Sequence, residues 1–251
     1  VSDLASLTVI RTDHGNVPVV YLPAVDSTHE EAKRRLDQKT VPPFVVVADE
    51  QLAGRGRRGR EWLSEPQVGI WMTLAVPKAR PAPEWFAYTF AASLAVGDAI
   101  RERTGLSARL KWPNDVLLNG KKCCGILLEI HPSAVLIGIG INVNHPHFPE
   151  GIANHATSML LETGRAWPRA ELLSRCVYLI TSLNDWPAEK ILDRWKSQSS
   201  FLGSEIVADT GDGILKGTAV DIAADGGLVI DTGESIRIVY AGDVRVRRAG
   251  E

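Results

Sequence analysis

Three cysteines in 251 residues, Cys123 and Cys124 side by side and Cys176 alone, are too few and too irregularly spaced for a disulfide framework or a thiolate metal site. Their scarcity fits a reducing compartment. An excess of charge of one sign is missing as well. Against 28 Lys and Arg stand 30 Asp and Glu, a net charge of −2, so no long-range pull toward DNA or an acidic membrane is expected. No apolar run reaches the length that spans a bilayer, and the opening VSDLASLTVIRTDHGN lacks the basic-then-apolar order of a secretory signal. These absences predict a cytoplasmic protein with no nucleic-acid and no membrane partner. A helix-turn-helix module is not expected either, because site-like residues begin by Asp26. Internal repeats and low-complexity tracts are lacking.

What is present is an ordinary globular composition, 45% hydrophobic and 23% charged, in a chain long enough for one large domain or a large one plus a small one. Residues 17–22 predict a short strand, and Asp26-Ser27-Thr28 ahead of Glu30 and Glu31 predicts a capped helix to about residue 38. Runs at 44–48 and 69–76 predict interior strands, and residues 54–59 between them are too glycine-rich to hold regular structure easily. Alanine-rich 3.6-residue spacing predicts a long helix over 85–103. Strands follow at 109–112, 116–118, 122–130 and 134–142, with Asn119-Gly120 as a hairpin turn. The expected fold class is therefore α+β with a mixed sheet. Helices over 169–183 and 189–197 precede a change near residue 202 to five short strands, enough for a small closed β-barrel. The predicted domains are residues 1–202 and 203–251.

The strongest chemical signal is Gly54-Arg55-Gly56-Arg57-Arg58-Gly59-Arg60. Glycines let backbone amides approach an anion, and guanidinium groups offer paired donors to carboxylate and phosphate oxygens. Two anionic reactants repel each other, so joining an acid to a nucleotide α-phosphate calls for local positive charge of this kind. A literal G-x-G-x-x-G lies inside the loop, but no good helix follows it and no acidic residue occurs at 75–81, which argues against a dinucleotide site. A phosphate loop is excluded because no Lys-Ser or Lys-Thr follows the last glycine.

Lys111-Trp112-Pro113-Asn114-Asp115 closes a short strand, and Pro113 favours extended geometry at Trp112. There Asp115 suits a Mg²⁺ held by one carboxylate and Lys111 suits a phosphate; alone, Asn114 and Asp115 read as a strand-ending cap. Strand alternation lets only one of Lys121 and Lys122 face a site on the sheet. Asn142, after Gly138 and Gly140, suits an adenine edge or equally a strand-end turn.

In this order GRGRRGR at 54–60, KWPND at 111–115 and K-x-x-GIL at 122–127 resemble the biotin–protein ligases, and the likeness covers nearly the whole chain from Asp26 onward. The resemblance implies a class II synthetase-like catalytic domain followed by a C-terminal SH3-like barrel. It implies biotin and ATP as substrates with Mg²⁺, biotinyl-5′-AMP as the intermediate, and a biotin carboxyl carrier protein or domain, as in acetyl-CoA carboxylase, as partner. On the same resemblance Ser27, Thr28, Gln51, Arg55, Gly56, Arg57 and Lys122 bind biotin. Arg55, Arg57, Trp62, Lys111, Asn114 and Asn142 bind ATP or the adenylate, Lys122, Arg57 and Lys111 are catalytic, and Asp115 serves the metal. His29 also falls in the biotin set, where the family pattern has Asn, so altered affinity is expected. Arg245, Arg247 and Arg248 offer charges to an acidic carrier, although a solvated basic tail accounts for them equally well. No side-chain nucleophile is required, so Cys123 and Cys124 read as small strand residues. A lipoate ligase, a repressor that also ligates biotin and a non-enzymatic nucleotide-binding protein are the competing readings. All of this rests on Arg55, Arg57 and Lys122 meeting at one cavity.

Overall fold

Two sheets account for all the strands of the computed structural model, which describes residues 2–211 and 213–246. The large sheet begins with β1 (Val9–Thr12) and β2 (Gly15–Val25), continues after helix α1 (Thr28–Asp37) with β3 (Phe44–Gln51) and β4 (Gly69–Val76), and resumes after α2 (Phe86–Thr104). Its last four strands are β5 (Ala108–Lys111), β6 (Asp115–Leu118), β7 (Lys121–His131) and β8 (Ala134–Asn142), giving the spatial order β1-β2-β3-β4-β8-β7-β6-β5. Only β2 and β3 pair in parallel, and α1 makes that crossover, so the sheet is mixed as expected. Asn119 and Gly120 both have positive φ, the geometry that a two-residue hairpin between β6 and β7 demands.

Alternation along β3 and β4 explains why both strands are apolar throughout. Val45, Val47, Ile70, Met72 and Leu74 enter the main core, while Phe44, Val46 and Ala75 enter a smaller one with Ala32 and Leu36 of α1. The main core is closed by α2, whose residues 90–100 are buried all round between the sheet and α5 (Arg169–Asn184). Short helices α3 (Glu150–Ala153) and α4 (Met159–Thr163) precede α5, and α6 (Ala188–Ser197) follows it. The sequence reading did not foresee β1, α3 or α4, each of four or five residues.

The second sheet is antiparallel, ordered β12-β11-β10-β9-β13, from β9 (Glu205–Asp209), β10 (Ile214–Ile222), β11 (Leu228–Asp231), β12 (Ile236–Val239) and β13 (Asp243–Val246). These are the five short strands expected of a barrel; here they form one run whose outer members are β12 and β13. Trp112 ties the two sheets together, since its indole donates to the Gly226 carbonyl at 3.0 Å.

Candidate active site

Register aligns the floor of a cavity of about 640 Å³ on the α1 side of the large sheet. Thr73 of β4 pairs with Gly138 of β8, and Trp71 with Gly140, which in turn pairs with Gly125 of β7. Asp115 continues that row opposite Gly125, and Lys111 lies opposite Asp115. The glycines are needed as a flat surface. A Cβ on Gly140 would stand 2.5 Å from the Trp62 ring, and one on Gly125 would stand 2.8 Å from it. Trp62 thus lies across the sheet on its own glycine seat, with the Lys122 ammonium 5.1 Å from its ring centroid.

At one end of the cavity the α1 N-terminus supplies a polar cluster. Ser27 caps the helix, its hydroxyl accepting from the His29 amide at 3.2 Å. Gln51 Oε1 accepts from the Thr28 amide at 2.9 Å and Thr28 Oγ1 at 3.1 Å, while its Nε2 donates to Ser64 Oγ at 2.9 Å. Thr28 Oγ1 lies 3.0 Å from the fully buried Thr73 Oγ1. Sequence reasoning passed over Thr73; its signal was one hydroxyl inside the apolar run GIWMTLAV.

His29 is 6% exposed, with Nδ1 3.4 Å from Thr73 Oγ1 and Nε2 3.6 Å from Glu129 Oε2. Burial, partly offset by the Glu129 charge, lowers its pKa to about 4, so the ring is neutral at physiological pH. Glu129 itself is held by Lys33 at 2.6 Å. His29 Nε2 and Trp62 Nε1 are both buried without a hydrogen-bond partner among the described residues, and both residues line the cavity. Such orphaned donors and acceptors suit a ligand.

Cations gather at the other end. Lys122 Nζ pairs with Asp115 Oδ1 at 2.7 Å, whereas Lys121 is exposed and reaches the Ala153 carbonyl at 3.5 Å. A bulge decides between them. Val116 pairs with Cys124 but Leu117 with Lys122, so Cys123 is the extra residue and the alternation of β7 restarts at Lys122. Arg57 Nη1 donates to Asn114 Oδ1 at 3.3 Å, and Asn114 Nδ2 donates to the Ile126 carbonyl at 2.7 Å. Burial lowers the Arg57 pKa, and burial likewise lowers that of Lys111, where Lys122, Arg245 and Arg60 push the same way and Asp115 opposes. Such crowding of positive charge is costly until an anion arrives.

Other expected residues are placed less simply. Arg55 stands at the rim with its side chain 62% exposed, 3.5 Å from Glu30, so of the three cations expected to converge, Arg57 and Lys122 reach inward and Arg55 guards the mouth. Asn142 is buried on the cavity wall and donates one amide hydrogen to the Thr157 carbonyl at 3.1 Å, leaving its oxygen and second hydrogen for a ligand. The loop 54–60 is more regular than expected. An Arg55–Glu61 bridge and the Gly56 amide bonded to the Arg60 carbonyl at 2.7 Å make it a tight hairpin with a 3₁₀ tip at Arg57–Gly59.

Arg245, expected on a docking surface, lines the cavity instead, together with Val207, Ile214 and Val244 of the second sheet; Arg247 and Arg248 lie outside the described residues. That sheet thus carries site residues that the sequence reading did not assign to it. Phe148, Ile152, His155 and Ala156 close the remaining side, positioned by the bridge that sets Ala156 beside Lys122. They come from the short α3 and the loops on either side of it, a stretch whose sequence has no readable period. All three thiols are buried and burial raises their pKa values, that of Cys176 to about 12, so none is a nucleophile.

The profile of the biotin/lipoate A/B protein ligase family matches residues 21–145, and that of the biotin protein ligase C-terminal domain matches residues 201–247. The biotin–[acetyl-CoA-carboxylase] ligase of Paracoccus denitrificans is 35% identical over 240 residues, covering 89% of this chain and 98% of its own. The bifunctional ligase/repressor BirA of Bacillus subtilis is 32% identical over 250 residues, covering 94% and 76%. Among solved structures, the Aquifex aeolicus biotin protein ligase in complex with biotin and ATP superposes with a TM-score of 0.79 at 33% identity, over 92% of this chain and 99% of that one. On sequence, on fold and on the polar and cationic ends of one cavity, this chain belongs to the biotin protein ligase family and is an ATP-dependent biotin ligase.

Proposed function

We propose that the two ends of the 640 Å³ cavity hold the two substrates of this ligase and that both half-reactions take place where they meet. Biotin lies with its ureido ring at Ser27, Thr28, His29, Gln51 and Thr73, where hydroxyl, amide and imidazole groups match its two N–H donors and one carbonyl. Its carboxylate points to Arg57 and Lys122, with Gly56 and the rim residue Arg55 closing over it. ATP occupies the side lined by Trp62, Asn114 and Asn142, with Lys111 and Arg245 at its phosphates. A carboxylate oxygen of biotin bonds to the α-phosphorus, the bond from phosphorus to the pyrophosphate oxygen breaks, and that electron pair leaves with pyrophosphate, giving biotinyl-5′-AMP. The neutral amine of a carrier lysine then attacks the anhydride carbonyl, AMP departs and the amine loses a proton. Arg57, Lys111 and Lys122 act by position and charge.

Asp115 is the cavity carboxylate that pairs with Lys122, and the described residues hold no cluster of three or more metal-ligating side chains. One carboxylate beside the phosphates suits Mg²⁺ delivered on ATP, since that ion keeps most of its water and its phosphate oxygens. When bound, it draws charge from the departing pyrophosphate.

The observation that carries this reading is the pairing of a polar, orphan-bearing end with a cationic end in one cavity. Pyrophosphate release measured with ATP plus biotin or ATP plus lipoate tests it; release should require biotin, and a preference for lipoate would overturn the assignment. The acceptor is a biotin carboxyl carrier domain, as the name of the Paracoccus relative suggests. We divide the chain into residues 1–202 and 203–251. No helix among the described residues is long and apolar enough to cross a membrane. We place the enzyme in the cytoplasm, a reducing compartment consistent with three free cysteines. Given the net charge of −2, we expect no nucleic-acid partner, and a gel shift with duplex DNA checks that.

A further inference from the structure

The four arginines of the 54–60 loop do not share one task. Arg57 turns into the cavity toward Asn114, Arg58 turns to the second sheet, and Arg60, at the cavity wall, pairs with Asp243 of that sheet. Arg58 Nη1 lies 3.8 Å from Asp243 Oδ2 and 4.0 Å from Asp209 Oδ1, and Arg60 also pairs with Asp243. Asp209 and Asp243 are direct cross-strand partners of β9 and β13. Two like charges facing each other across a strand pair destabilise it unless a cation is shared between them. Arg58 supplies that cation, and its guanidinium also packs at Gly211, where a Cβ would stand 3.3 Å from Nη2.

The backbone records the same arrangement. Arg58 has φ 57° and ψ 31°, a left-handed conformation that a residue with a Cβ adopts at a cost. This twist separates the inward Arg57 from the outward Arg58, and it persists only where the surroundings hold it. We propose that Asp209 and Asp243 form a latch that holds the loop shut through Arg58 and Arg60, so that the second sheet sets how long the enzyme retains its adenylate. Asp209 and Asp243 also line the cavity, and in this scheme they are positioning residues, acting through the arginines and through the aim of Arg57. The inference rests on the proposed adenylate chemistry at the cavity.

The latch is partly exposed, so dissolved salt should weaken it. The test loads the full chain with labelled biotin and ATP, then follows loss of bound label into excess unlabelled biotin, at low and at high KCl. In the wild type, release should accelerate with salt. Asp209→Asn/Asp243→Asn should release adenylate roughly three- to tenfold faster at low salt, within the range expected for three partly exposed ion pairs, and respond little to KCl. Asp243→Glu, which keeps the charge, should behave like the wild type. Salt-independent release from the wild type overturns the latch without any variant, as does a double variant with wild-type retention and salt response. Absence of biotin-dependent pyrophosphate from the wild type would instead overturn the adenylation reading, and the latch with it.

Discussion

Replacing His29 by Asn should make the protein less sensitive to acid. The buried ring has a pKa of about 4 against an ordinary 6.5. Well above pH 6.5 neither the folded nor the unfolded ring carries the proton, and His29 contributes nothing to the pH dependence. As the pH falls, the unfolded imidazole charges and the buried one does not, so stability is lost down to the folded pKa. At pH 5 the unfolded ring is 1.5 units past 6.5, worth about 2 kcal/mol at ~1.4 kcal/mol per unit. Below about pH 4 the loss levels off near 3 kcal/mol. Comparison at pH 5 also stays above the lowered range of Glu129, whose pairing with Lys33 would otherwise titrate in the same experiment. His145, buried with a pKa of about 4, destabilises both proteins alike and cancels from the difference. Urea unfolding of wild type and His29→Asn near neutrality and at pH 5 gives the two slopes. The wild type should lose about 2 kcal/mol more than the variant. Equal losses in the two proteins would refute the claim that His29 is buried in its neutral form.

Lys122→Met should lower the rate of biotin-dependent pyrophosphate release by roughly 10²–10³, as expected for removing a preplaced charge from a water-poor site. A change confined to KM would count against that role. Arg57→Gly should shed adenylate early, read as biotinylation of bystander proteins mixed with the enzyme and ATP; unchanged acceptor selectivity would contradict it. Gly140→Ala sets a methyl 2.5 Å from the Trp62 ring and should lift the indole from its seat. Roughly a tenfold rise in the KM for ATP is expected, and an unchanged KM would show that Trp62 does not border the nucleotide.

The loop arginines and the KWPND segment were legible because each combines residue types whose chemistry is narrow with a spacing that regular structure cannot explain. Thr73 was not legible: a single hydroxyl in a buried strand means nothing until Thr28 is found 3.0 Å away across the chain. The same holds for Phe148 and His155, which reach the cavity from a stretch with no period to read.

Local chemistry written in the sequence determined the elements and their order. Apolar runs made β3, β4 and β8, the Ser27 cap started α1, and Asn119-Gly120 turned the chain between β6 and β7. Which side chains share a space was decided only by tertiary pairing. The extra residue at Cys123 turned Lys122 toward the cavity and left Lys121 in solvent, because a bulge resets an alternation that the sequence alone presents as unbroken. Packing of the second sheet against the loop gave Arg58 and Arg60 carboxylate partners that Arg57, among the described residues, lacks, and it brought Arg245 to the cavity from more than a hundred residues downstream. Charges so distant along the chain meet only when the intervening strands have taken their register, and residue spacing carries no record of that.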